Sequence, residues 1–287
     1  MITHTHNHTH PHKMIALMAK DPWTLVSFFV IVMMGLSNWV AMHVNPILAG
    51  LTGVCALVLT ILGIIEKWLI VKQKLFDNKK PKLFCPHPLY DNFGEAVSKE
   101  KALKFLGLKD DCAYLLFFGF IRDYKGLDLL LEALSDDRFK TLNVKLIVAG
   151  EYYSDPRPYR EIIQRNNIHK MVIEKTSFIP NDEVVNYFCA ADLVVQPYKS
   201  ATQSGVTQIA YHFEKAMLVT NVGGLPEMIP DGKVGYVVAP ESKAIADALV
   251  DFFENKRETF FVSNVKEEKK KYSWQNLTNS IKKLIEN

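Results

Sequence analysis

Two fixed cations, Arg122 and Lys125, stand three positions apart in YLLFFGFIRDYKG, residues 114–126. Ahead of them Gly119 interrupts an apolar run, where a missing side chain lets a ligand or another backbone come close. Behind them Gly126 precedes a second apolar run at 127–134. Strand, glycine turn, two cations and helix together make a candidate anion site at the carboxyl end of a parallel strand. An ordinary βα turn with surface charges has the same order of parts. The second stretch with chemical potential is QPYKSATQSGVTQIAYHFE, residues 196–214. Here a strand ends at Pro197 and a helix starts near Ser204 and Gly205. A helix start offers free backbone N–H groups and the positive end of its dipole to an anion. Val206, Ile209, Ala210 and Phe213 share the core face of that helix, while Ser204 and Gln208 share another, one turn apart, towards the crevice. A polar helix cap without a ligand is the plain alternative. Two anion sites at neighbouring strand ends suit a diphosphate.

The elements that must position these residues alternate. Strand candidates fall at 114–118, 144–149, 172–178, 193–197, 217–221 and 235–238, with helical patterns at 127–134, 159–164, 182–190 and 204–214. This order predicts an α/β fold, a Rossmann-like parallel sheet wrapped by helices, with its ligand crevice outside the strand carboxyl ends. No G-x-G-x-x-G or Walker A loop is present, which leaves a nicotinamide dehydrogenase or P-loop enzyme without a motif. The net charge of +3, spread without a basic stripe, argues against nucleic acid as a partner. Four scattered cysteines without C-x-x-C spacing argue against a zinc site and for reduced thiols in the cytosol.

The amino-terminal quarter has a different character and accounts for the mean hydropathy of +0.02. Residues 1–21 begin with His4, His6, His8, His10 and His12, a tail that cannot form a core and that binds transition metals adventitiously. Residues 23–42 and 46–65 then run without a charge, each of about 20 residues, the length that spans a bilayer as a helix. Only His43, Val44 and Asn45 separate them, so a transmembrane helical hairpin is expected over 22–74. Lys13 and Lys20 precede it and Lys67, Lys72 and Lys74 follow, which places both termini and the α/β domain of residues 75–287 on the cytoplasmic side of the inner membrane. Trp23, Trp39 and Trp68 fall near the expected interfaces, and Ala49 and Gly53 form a small-x-x-x-small pair. A cleaved signal peptide fits poorly, since the first run is too long and lacks a cleavage site. A buried soluble hairpin would leave all-round apolar helices with little to cover them.

Four motifs, PHPLYDNFGE at 86–95, GFIRDYKG at 119–126, PYKSATQSGVTQIAY at 197–211 and NVGGLPEMI at 221–229, stand in this order. Together they resemble the carboxyl-terminal, nucleotide-sugar-binding half of the retaining GT-B glycosyltransferases of group 1, family 4, from residue 83 to the end. The resemblance implies that Arg122 and Lys125 are the catalytic cations, holding the donor diphosphate and neutralising it as it leaves. It implies that Gly119 lets the donor approach, and that the backbone at Ser204, Gly205 and Val206 receives the phosphates. Phe178 and Ile179 match the strand end where the family meets the nucleobase. The family's Glu-x7-Glu positions are held here by Ser200 and Gln208; Gln208 can still accept a ribose hydrogen bond, but neither residue carries charge, which blurs the donor sugar more than the class. The stretch 223–227 reads as a structural turn.

The implied chemistry is transfer of a glycosyl group from a nucleoside-diphosphate sugar with retention, with no metal or other cofactor, because two cations and a helix end stabilise the leaving group. The departure from the family is that tail and hairpin occupy the place of its acceptor-binding half. Turnover is therefore expected to need a separate acceptor-binding chain, with nucleotide sugar and membrane lipid as the other partners. The apolar stripe Trp274, Leu277, Ile281 and Leu284 must then pack on its own domain, another chain or lipid. A rival expectation is a non-enzymatic pore or anchor protein carrying a passenger fragment; another is a nucleotide-sugar epimerase of the same fold, which the motif order favours less.

Overall fold

Continuous apolar runs bury both faces of a strand, and here they assemble into one parallel sheet. Its strands are β1 (Ala113–Phe118), β2 (Val144–Ala149), β3 (Val172–Lys175), β4 (Leu193–Gln196), β5 (Ala216–Thr220) and β6 (Gly235–Val238), in the order β3-β2-β1-β4-β5-β6. The chain builds outward from β1 to β3, then returns to lay β4 on the other side of β1. That reversal between β1 and β4 is a topological switch point, where an open α/β sheet leaves a crevice at its carboxyl edge. The computed structural model describes Leu83 and residues 85–286, together with Val32, Leu36, Trp39, Val54 and Val58.

Successive side chains on a strand face opposite sides, so each strand feeds two cores. On one side Tyr114, Leu116, Ile147, Val194, Met217 and Val219 pack with Phe188 and Tyr211. On the other, Leu115, Phe117, Leu146, Val148, Val195 and Leu218 pack with Leu130, Leu249 and Phe252. The helices covering these faces are α1 (Lys99–Leu106), α2 (Leu127–Ala133), α3 (Arg157–Arg165), α4 (Val184–Ala190), α5 (Gly205–His212), α6 (Leu225–Met228), α7 (Ser242–Glu254), α8 (Glu258–Glu268) and α9 (Trp274–Glu286). Asp192 ties the layers together: its carboxylate accepts the Tyr114 N–H at 2.7 Å and pairs with Lys99 of α1.

The expected strands keep their places to within one residue, except for one that is shortened by three. β3 stops at Lys175 rather than at 178, where the Gly150 N–H donates to the Lys175 carbonyl and the ladder with β2 runs out. α5 ends at His212, and Glu214 turns into a left-handed conformation at φ 56°. Helices α1, α6, α7 and α8 add to the expected set. α9 buries none of its residues, so the stripe bearing Trp274 and Ile281 is not covered by its own domain.

Two compact units divide the chain, Met1–Pro81 and Lys82–Asn287. In the first, the five described residues are all helical and all exposed. The remainder of the expected spans, and the histidine-rich tail, lie outside the described residues. Among the described residues no helix is long and apolar enough to cross a membrane.

Candidate functional site

The switch point brings the end of β1 against the end of β4. Gly119 follows β1 at φ +92°, a conformation open to glycine, and its N–H donates to the Ala149 carbonyl at 2.8 Å. A Cβ at Gly119 would lie 2.9 Å from the Lys125 Nζ and 3.9 Å from the Val206 Cγ2. The absent side chain is thus the space in which the ammonium lies, with the first turn of α5 beside it. Lys125 ends a short 3-10 turn, Asp123–Lys125, which closes on Gly126 at φ +68°. A Cβ on Gly126 would sit 1.9 Å from the Pro197 carbonyl oxygen, so this turn seats directly on the chain leaving β4.

The charges gathered here are of two kinds. Lys199 is neutralised, its ammonium 2.8 Å from Asp123 and 2.9 Å from Asp128. Arg122 and Lys125 meet no carboxylate among the described residues. They lie instead on aromatic rings: the Arg122 Cζ is 4.1 Å from the centre of Tyr153 and 5.9 Å from Phe120, and the Lys125 Nζ is 5.8 Å from Tyr198. Lys125 is only 8% exposed, and the Arg122 Nε is buried without a hydrogen-bond partner. Burial, and next the positive charge of Arg122, pull the Lys125 ammonium down to about 8. A cation held at that cost and left unpaired is poised for an anion from outside the chain.

The start of α5 adds its own donors. Ser204 stands at the cap position in an extended conformation, but its hydroxyl lies 3.2 Å from the Tyr198 hydroxyl and caps nothing. The N–H groups of the first turn therefore have no side-chain acceptor. Beyond Ser204 opens a cavity of about 370 Å³, lined among others by Tyr90, Ser204, Gly205, Gln208, Glu227 and Tyr272. Gly205 is bare because the Tyr90 ring packs on it; a Cβ there would meet the Tyr90 Cε2 at 2.8 Å. Gln208 is buried, and its Oε1 has no partner. Gly119, Arg122 and Lys125 do not line this cavity. The residues singled out in the sequence thus fall into two groups, cations with Gly119 and Val206, and Ser204, Gly205 and Gln208 at the cavity, adjoining at the start of α5.

Others stand apart. Phe178 is exposed beyond the end of β3, Ile179 is half-buried next to it, and Ser200 is exposed on the loop after β4. Gly223 and Gly224 carry that loop: Cβ atoms there would meet the carbonyl oxygens of Ala201 at 1.6 Å and of Thr202 at 2.5 Å. Of the stretch 223–227, expected as a structural turn, the two glycines form the turn, while α6 takes up the rest, and Gly224 and Glu227 also line the cavity. Sequence reasoning missed Tyr153, Tyr198 and Tyr90; the one available signal was an aromatic pair, Tyr152 and Tyr153, just past a strand-ending glycine. Among the described residues no cluster of His, Cys, Asp or Glu is arranged to hold a metal ion.

Residues 112–255 match the family model described as glycosyl transferases group 1. An uncharacterized glycosyltransferase of Methanocaldococcus jannaschii is 28% identical over 219 residues, covering 75% of this chain and 57% of the relative. The chain spans about half the length of the curated relatives it matches. Among solved structures, the C-terminal domain of the glycosyl transferase group 1 protein LpcC from Francisella tularensis superposes with a TM-score of 0.56 at 23% identity, over 63% of this chain and 96% of that domain. HepE of Anabaena, solved in complex with UDP, superposes with a TM-score of 0.56 at 18% identity, over 66% of this chain and 52% of its own. At these identities what is shared is the fold.

Proposed function

The chain belongs to the group 1 glycosyl transferases, and from that premise we propose that its α/β unit binds a nucleoside-diphosphate sugar and works on the leaving diphosphate. One observation carries this reading: Lys125, without a carboxylate partner, lies in the space left by Gly119 beside Val206 of α5, near enough to the equally unpaired Arg122 to feel its charge. When the bond from the sugar's anomeric carbon to the diphosphate breaks, the electron pair leaves on phosphate oxygen. Preorganised donors in a site shielded from water stabilise that developing charge without rearranging. With two cations and a helix start assembled, we read the transfer as independent of a metal and as retaining. The neighbouring cavity, within the range of about 300–1,000 Å³ usual for small-molecule sites, gives the donor room, with its ribose beside Gln208. The solved complex of HepE with UDP supports a nucleotide in this fold.

We further read residues 22–74 as a membrane hairpin that holds the domain at the cytoplasmic face. Val32, Leu36 and Trp39, and again Val54 and Val58, stand at helical spacing with their apolar side chains exposed, as lipid-facing residues would be. The acceptor would then be presented by another chain at the same membrane. The test of the donor site is calorimetric titration of the purified full chain with UDP, ADP and GDP. One of them is expected to bind, and Arg122→Ala and Lys125→Ala should each weaken it; silence from all three would remove the reading. For the hairpin, extraction of membranes with alkaline carbonate should leave the chain in the pellet, and release into the supernatant would refute it.

A further inference from the structure

Arg122 is held in an unusual way, and what holds it has a consequence for the site. We propose that Tyr153 is a positioning residue, which keeps the Arg122 guanidinium aimed at the donor diphosphate without neutralising it; this rests on the reading of the diphosphate site above. The guanidinium carbon lies 4.1 Å from the Tyr153 ring centre, with Phe120 at 5.9 Å, and the two rings meet edge to face at 6.4 Å. The backbone fixes this arrangement. Past Gly119 and Gly150 the loops after β1 and β2 stay paired: the Ile121 N–H donates to the Glu151 carbonyl at 2.8 Å, and the Tyr153 N–H donates to the Ile121 carbonyl at 3.0 Å. Arg122 and Tyr153 are therefore held in register by main-chain bonds, independent of either side chain.

Packing does not explain the ring. Tyr153 is 68% exposed, and its hydroxyl has no recorded partner among the described residues, so it does little for the core. Nor does the site lack carboxylates, since Asp123 is the next residue after Arg122, yet it pairs with Lys199 instead. A carboxylate would orient the guanidinium and cancel its charge. An aromatic face orients it through the ring quadrupole and leaves the full charge and its N–H donors for a ligand. The Arg122 Nε, buried and without an acceptor, is one such donor.

The test is a double-mutant cycle on the full chain, read by calorimetric titration with two probes, UDP and inorganic pyrophosphate. Tyr153→Leu should weaken both probes by about two- to fivefold, the scale of a partly exposed cation–ring contact, and Tyr153→Phe should restore them. In an Arg122→Ala background, Tyr153→Leu should cause no further loss. An equal loss in that background, or no loss at all, overturns the proposal. A loss confined to UDP also overturns it, since that would make Tyr153 a stacking partner for the base. The two readings fail separately: if Lys125→Ala leaves pyrophosphate binding intact, the diphosphate site itself falls. If Lys125→Ala weakens it and Tyr153→Leu does not, only the role of Tyr153 falls.

Discussion

Lys125→Met should make the protein more stable and worse at binding diphosphate. The ammonium titrates near 8 in the fold, against 10.5 for the free side chain, first because burial strips its water and second because Arg122 repels it. A shift of that size corresponds to about 3 kcal/mol of unfavourable free energy. The sign follows from proton counts. Below pH 8 the lysine is charged in both folded and unfolded chains, and the whole cost of burying that charge is present. Between pH 8 and 10.5 the folded chain has lost the proton while the unfolded chain still carries it, so stability rises with pH across that window. Lys125→Met removes the charge while keeping most of the apolar stem, and its advantage over the parent should be about 3 kcal/mol at pH 7, shrinking by more than half at pH 9.5. Urea unfolding of both proteins at the two pH values measures it, the difference between them cancelling every other group that titrates. Pyrophosphate affinity of the parent should also fall as pH rises through 8, where the cation is lost. A variant that is less stable than the parent at pH 7, or an advantage that does not shrink at pH 9.5, would refute the claim that Lys125 is held charged and unpaired.

Two further changes separate binding from folding. Gly119→Ala places a methyl group 2.9 Å from the Lys125 Nζ in a left-handed backbone conformation; it should cost about 1–2 kcal/mol of stability and displace the ammonium, so that both the unfolding midpoint and pyrophosphate titration register the change. Asp192→Ala strands the buried Tyr114 N–H and should cost about 1–3 kcal/mol in urea unfolding, with UDP affinity unchanged because the residue lies far along β1 from Gly119.

Much of the fold could be read locally. β1 and β6 coincide with unbroken apolar runs, β2 with one broken only by Lys145, and the βα alternation alone dictates parallel pairing. β3 was overestimated: only Val172, Ile173 and Phe178 of its expected run are apolar, and its neighbour β2 ends at Ala149, opposite Lys175. α7 had the signal in Ile245, Leu249 and Phe252, spaced at i, i+4 and i+7, all of which are buried. The cations of the site were visible because Gly119, Arg122, Lys125 and Gly126 lie within eight residues of one another. Their aromatic supports were not, since Tyr153 and Tyr198 arrive from the ends of β2 and β4.

What distinguishes a binding cation from a structural one here is therefore its partner, and partners are assigned by topology. Three cations, Arg122, Lys125 and Lys199, gather where β1 and β4 end side by side, and the spacing that singles out the first two does not say which of the three is paired. The fold ranks them by sending Asp123 and Asp128 to Lys199, and Tyr153 and Tyr198 to the other two. Lys199 is thereby spent on joining the two loops, where its loss would be felt as looseness. Arg122 and Lys125 are left without a carboxylate, and burial holds Lys125 titrating well below a free lysine. On the reading proposed above, an anion with more than one negative oxygen would offset that cost, because a single charge cannot satisfy two separated cations and a helix start together. A diphosphate, which presents oxygens on two adjacent phosphorus centres, is the ligand proposed for that reason.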